Sequence, residues 1–218
     1  MCAGQDRRGR TGATDCARLR VRGGLRDRLR ALTTHTLWLL TVLCMISLAV
    51  ANVSADSRDE RRVRAGARLF RSLLAAEIGV ERKIGADGRL HVLVLGGDAA
   101  TNNEVVALIV PPGGGNGALI RGLAVQVDAR AALPKNVGDT AAVFLGGVPS
   151  PAELERVLQW AAREKVLVFS PFEGHVERGV HAGLSIEAKV QPYVNEAALA
   201  RSGIVLKPFF LRVAKVYR

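Results

Sequence analysis

The stretch "AAVFLGGVPSPAELERVLQWAAREKVLVFS", Ala141 to Ser170, decides the fold. It begins with an apolar run closed by two glycines, Gly146 and Gly147, and ends with "VLVFS", a second apolar run of strand length. Short, continuous apolar runs of this kind read as strands buried on both faces. Between them Ser150 is placed to cap a helix, Pro151 suits the first helical position, acids stand early and Lys165 stands late, the order that helix ends favour. Leu154, Val157, Leu158 and Ala161 fall on one face of that helix. A strand, a helix and a strand in succession imply a parallel pair, because a parallel connection needs a long crossover.

The same rhythm extends outward from this unit. Upstream, "RLHVLVLGG" is another apolar run ending in glycines, Gly96 and Gly97, and a helix is expected around "NNEVVALIV" with Asn102 or Asn103 as its cap. "LAVQV" reads as a further strand, while "PPGGGNG" from Pro111 breaks the pattern. Before them, "RAGARLFRSLLAAEIG" places Leu69, Phe70, Leu73, Leu74 and Ile78 at helical spacing with Gly79 as a stop. The preceding "DSRDERRV" reads as a frayed entry. Downstream, "GLSIEAKVQPYVN" gives two extended segments, Leu184 to Ala188 and Val190 to Val194, expected to form an edge strand or a hairpin, with Pro192 arguing against a central position. "NEAALARSG" reads as a short helix from Asn195 to a stop at Gly203, and "IVLKPFFLRVAKVYR" puts Leu206, Phe209, Phe210, Val213 and Tyr217 on one helical face. The expected class is α/β: a three-layer sandwich with a mostly parallel sheet flanked by helices, and edge strands near the C-terminus.

The formal charge of +11 on 218 residues suggests nucleic acid until its placement is considered. Residues 1–36 hold nine Arg against three Asp, and the uncharged run "LWLLTVLCMISLAVA", Leu37 to Ala51, has the length of a secretory signal core. Val53 and Ala55 stand at the spacing of a cut before Asp56, with Ala49 and Ala51 as a second option; an uncleaved anchor and a lipoprotein are the alternatives. Residues 1–55 are accordingly expected to be an Arg-rich leader and signal peptide, and 56–218 a single domain in the periplasm. That domain would contain neither cysteine nor methionine, since Cys2, Cys16 and Cys44 all lie in the leader. Disulfides, thiol catalysis and cysteine-bound zinc are thereby excluded from it. Its remaining charge of +5 is scattered, without a basic stripe interleaved with aromatics, so no nucleic-acid partner is expected.

Chemistry is sparse. In open parallel sheets ligands sit beyond the carboxyl ends of strands, and a ligand crevice is drawn there from Gly97, Asp98, Gly146, Gly147 and Ser170. "GGGNGA" lacks the Lys-Ser or Lys-Thr of a phosphate loop. Glu173, His175, Glu177 and His181 carry metal-ligating groups without a common helical face, no Gly-x-Ser-x-Gly surrounds any serine, and Glu153 and Glu155 read as solubilising. Neither a metal nor another cofactor is expected, and the protein is read as a non-enzyme.

The last third, "VFSPFEGHVERGVHAGLSIEAKVQPYVNEAALARSGIVLKPFFLRVAKVYR", resembles the YfiR/HmsC-like periplasmic proteins, in its glycine-rich turn, extended segment, Asn before an Ala-rich helix, and basic amphipathic end. The resemblance implies a small α/β regulator, a homodimer, that restrains a membrane-bound diguanylate cyclase, or another inner-membrane protein, by contact and so acts in cyclic-di-GMP signalling. It places a partner surface on Leu69, Phe70, Leu73 and Phe172; the alternative is that Phe70 and Phe172 both belong to the core, since isolated phenylalanines are usually buried. Relatives carry Trp-Pro at the end of the first helix, and this chain does not. The other reading is a periplasmic small-ligand-binding module associated with transport, using the glycine crevice.

Overall fold

The computed structural model describes residues 58–111, 119–135 and 137–218. The leader, its apolar run, the cleavage site and most of the glycine-rich loop lie outside the described residues.

Eight strands form one sheet in the order β2-β3-β1-β4-β5-β6-β7-β8. They are β1 (Leu90–Leu95), β2 (Leu119–Ile120), β3 (Leu123–Arg130), β4 (Thr140–Leu145), β5 (Leu167–Ser170), β6 (Ala182–Ile186), β7 (Val190–Asn195) and β8 (Lys215–Tyr217). The five central strands, β3, β1, β4, β5 and β6, are parallel, whereas β2 runs antiparallel to β3, and β7 antiparallel to β6. The fold is thus α/β with a mostly parallel sheet, as the quoted stretch implies. Helix α1 spans residues 58–76. It is followed by α2 (Ala99–Ile109), α3 (Pro151–Glu164), α4 (Glu196–Arg201) and α5 (Pro208–Val213).

Side chains alternate across a strand, and this sorts the helices into layers. Phe144 and Phe169 are register partners on neighbouring strands, and Phe70 of α1 packs on both rings with centroids 5.5 and 5.7 Å away. α1 therefore covers that face. α2 lies beside it, tied by Arg64 to Glu104 and by Arg71 Nη1, which donates to the Ile109 carbonyl at 2.6 Å. α3 covers the opposite face through Leu154, Val157 and Ala161. Its start is a full capping box: Ser150 accepts from the Glu153 N–H, and the Glu153 carboxylate accepts from the Ser150 N–H at 2.9 Å.

Four local expectations change. The cap of α2 is Asp98, which accepts from the Thr101 N–H at 2.7 Å, and Asn102 is inside the helix. The "DSRDERRV" segment is helical from residue 58, and Arg62 is anchored by a hydrogen bond from its Nε to the Pro171 carbonyl at 2.9 Å. Strand β7 has neighbours on both sides, but pairing with β8 begins only at Tyr193, one residue past Pro192. The C-terminal segment is no continuous helix: α5 ends at Val213, and Tyr217 belongs to β8. Leu206 and Phe210 alone of the expected face are buried, which leaves six residues of helix too short to hold Tyr217 in register.

Candidate functional site

The chain starts the parallel sheet in the middle. From β1 it passes through α2 out to β3, then returns across β1 to begin β4 on the other side. The strand order therefore reverses at the β1/β4 boundary, the position where open α/β sheets leave a crevice outside the strand ends.

Both glycine pairs lie at that boundary. Gly96 and Gly97 adopt φ of 73° and 75°, a conformation that costs an ordinary L residue about 1 kcal/mol or more. Gly147 approaches them so closely that a Cβ on it would stand 2.3 Å from the Gly97 nitrogen. On the α2 side, Asn102 Oδ1 would meet a Cβ at either Gly97 or Gly146 at 2.8 Å, and this buried oxygen has no partner among the described residues. The glycines thus serve close backbone packing first, with the strand ends zipped together by Gly146 N–H donating to the Leu95 carbonyl at 2.7 Å.

On the α3 side of this seam lies a cavity of about 300 Å³. Its floor is Leu95 and Leu145, register partners at the ends of β1 and β4, with Leu133 and Val157 beside them. Gly96, Gly97, Gly147, Val148 and Pro149 form one wall, and Ala131 and Ala132 another. Polar character comes from the first turns of α3. Glu153 and Arg156, three residues apart, share the cavity face of the helix. Hydrogen bonds from the Ser150 side chain and backbone hold the Glu153 carboxyl below its ordinary pKa, so it is anionic at neutral pH. Arg156 is exposed at the mouth and forms no ion pair among the described residues. The N–H groups of Gly147 and Val148 have no backbone acceptor among the described residues either.

Of the residues drawn into the crevice from sequence, Gly97 and Gly147 line the cavity, Gly146 forms the adjoining seam, and Asp98 is occupied in capping α2. Ser170 is elsewhere. It is fully buried at the end of β5, its hydroxyl accepting from the Phe172 N–H at 3.2 Å and lying 2.8 Å from His175 Nδ1. "SPFEG" is therefore a turn locked from inside, with Pro171 held by Arg62 of α1.

The partner surface drawn on α1 and on the turn after β5 is not a surface here. Phe70 and Leu73 are 0% and 1% exposed and Phe172 7%, while Leu69 is half-buried against the same core. The aromatic cluster of Phe70, Phe144 and Phe169 takes the residues that helical spacing alone left free to face outward. No group of three metal-ligating side chains occurs among the described residues. His175 is committed to Ser170. His181 is fixed on both nitrogens, with Nδ1 accepting from the Val168 N–H at 3.0 Å and Nε2 lying 2.7 Å from the Ser202 hydroxyl. Burial drives the His181 pKa down to about 4, helped by the charges of Lys83 and Arg201.

Arg156, Leu133 and the Ala131–Ala132 wall were not anticipated. The signal for them is the nine-residue interval between β3 and β4, Ala131 to Asp139, which lacks helical periodicity although it joins parallel strands.

No family model matches this chain, and no curated protein matches it. Among solved structures, an ABC domain in complex with L-Trp from Streptococcus pneumonia is 12% identical at a TM-score of 0.46, the match covering 70% of this chain and 60% of that one. A conserved domain protein from Vibrio cholerae is 14% identical at a TM-score of 0.44, over 64% of this chain and 60% of that one. This chain spans about 60% of the length of each. These likenesses are distant and assign no family. Among the described residues no helix is long and apolar enough to cross a membrane.

Proposed function

We propose that this chain is a binding module for a small ligand, exported from the cytoplasm and without bond-making chemistry of its own, and that its site is the switch-point cavity. The observation that carries this reading is the convergence of the ends of β1 and β4, the segment that follows β3 and the first turns of α3 on one apolar-floored cavity of about 300 Å³, the lower end of the range for small-molecule sites. The lining selects the ligand. Leu95, Leu133, Leu145 and Val157 favour an apolar body, the free Arg156 guanidinium favours one anionic group, and anionic Glu153 disfavours a second.

The test is calorimetry and thermal shift with a panel of apolar monocarboxylates, their amides, and dicarboxylates. Monocarboxylates are expected to raise the melting temperature, since a ligand of the native state must. Ala132→Trp, which fills the cavity from an exposed wall position, should abolish the effect, and Arg156→Gln should weaken it about ten-fold. Shifts that survive Ala132→Trp, or a panel without any shift, would refute the site. The alternative reading as a regulator of a membrane diguanylate cyclase has the C-terminal resemblance as its support, and its contact face would have to lie away from Phe70, Leu73 and Phe172.

A further inference from the structure

Exposed apolar side chains concentrate in one region. Of the ten large hydrophobic residues that remain well exposed among the described residues, five are Ile78, Val205, Phe209, Val213 and Val216; Tyr217 stands on the other face of β8, against Tyr193 at 6.3 Å. Local structure explains the grouping. From Ser202 to Leu206 burial alternates, so Ile204 and Leu206 point inward and Val205 outward. The same segment is pinned beside the end of α1, with the Ile78 N–H donating to the Val205 carbonyl at 2.8 Å and the Lys207 N–H to the Ala76 carbonyl at 2.9 Å. In α5, Phe210 fills the core, while Phe209 and Val213, one turn apart, stand outward at 53% and 61% exposure. Val205, Leu211 and Val216 line one shallow apolar hollow that joins α5 to β8.

The charge on this region is mainly positive, although Glu196 lines the same hollow. Residues 201–218 contain Arg201, Lys207, Arg212, Lys215 and Arg218 and neither Asp nor Glu. Lys215 and Arg218 reach Glu187 and Glu196 on neighbouring elements; Arg212 and the half-buried Lys207 form no ion pair among the described residues, though Lys207 Nζ donates to the Ala75 carbonyl at 3.4 Å. The cores of protein interfaces are depleted in Lys. An excess of cations among outward Phe and Val side chains, with Glu196 answered by Arg218, instead matches an anionic headgroup layer over acyl chains.

We propose that this C-terminal face docks the domain on an anionic lipid bilayer, with Phe209 and Val213 entering the headgroup boundary and Lys207 and Arg212 at the phosphates. The proposal is independent of the cavity and of what it binds. Its test uses the full chain and brominated lipids, which quench a tryptophan only on contact. Phe209→Trp and, as a control at the start of α3, Ala152→Trp are each compared with the unaltered chain, which contributes Trp38 and Trp160. With vesicles of phosphatidylcholine and phosphatidylglycerol, the added tryptophan at 209 should be quenched and that at 152 should not. Arg212→Glu should weaken binding about 25-fold, at about five-fold per unit of charge, and vesicles of phosphatidylcholine alone should bind far less. Absence of quenching at 209, or equal quenching at 209 and 152, overturns the proposal. So does a patch that serves a protein partner or a second copy instead, seen as an oligomer dispersed by Phe209→Ser with vesicle binding unchanged.

Discussion

Replacing Phe70 with alanine separates a core role from a contact role. Its side chain is fully buried and its ring stands 5.5 Å from Phe144 and 5.7 Å from Phe169, which themselves stack at 5.6 Å. Truncation removes the transfer free energy of the ring and leaves a cavity between α1 and the sheet, together costing about 3–5 kcal/mol. A domain of this size has about 5–15 kcal/mol in total, so the variant should fold but unfold much earlier. With a urea slope of about 2 kcal/mol per molar, the midpoint should fall by about 2 M. Phe209→Ala, at an exposed position, should stay within about 0.5 kcal/mol of the parent. Equilibrium urea unfolding followed by far-UV circular dichroism measures both. A loss below about 1 kcal/mol for Phe70→Ala would refute the packing of α1 described above and return Phe70 to the surface.

Two further perturbations probe the seam and the buried imidazole. Gly147→Ala should cost about 2 kcal/mol or more, because the new methyl meets the Gly97 backbone with no side chain able to yield; Gly88→Ala, in open space at positive φ, should cost only about 1 kcal/mol, and equal losses in thermal unfolding would contradict the close approach. For His181 the folded pKa of about 4 lies below the ordinary value of 6.5, so the unfolded chain binds more protons between these values and stability is lost as pH falls from about 6.5 toward 4. The full effect is about 3 kcal/mol. Glu77 acts in the opposite sense, since burial raises its pKa, so the comparison needed is parent against His181→Gln at pH 7 and pH 5. A parent and a variant with the same pH dependence would remove His181 as the cause.

The βαβ unit was legible because every level of the sequence agreed on it: apolar runs of strand length, Ser150 and Pro151 at the helix start, and a clean apolar face. The C-terminal segment was not, because Leu206, Phe209, Phe210, Val213 and Tyr217 satisfy a helical period that the backbone abandons at Ala214, where extended geometry begins and β7 offers hydrogen bonds for β8. Helical spacing also showed that Phe70 and Leu73 share a face without showing which side faces the sheet; the register partnership of Phe144 and Phe169 settles it, and register is a long-range property. Of the candidate site, only the glycines at strand ends, Gly97 and Gly147, were readable. Arg156 and Leu133 were hidden because their convergence depends on β3 and β4 flanking β1, an order that no local pattern encodes.

The described residues between β3 and β4 form no helix, and Ala131, Ala132 and Leu133 among them line the cavity beside α3. Lengthening or shortening this one connection would resize the opening while leaving every strand register intact, which makes it the natural place to graft new selectivity onto an unchanged scaffold.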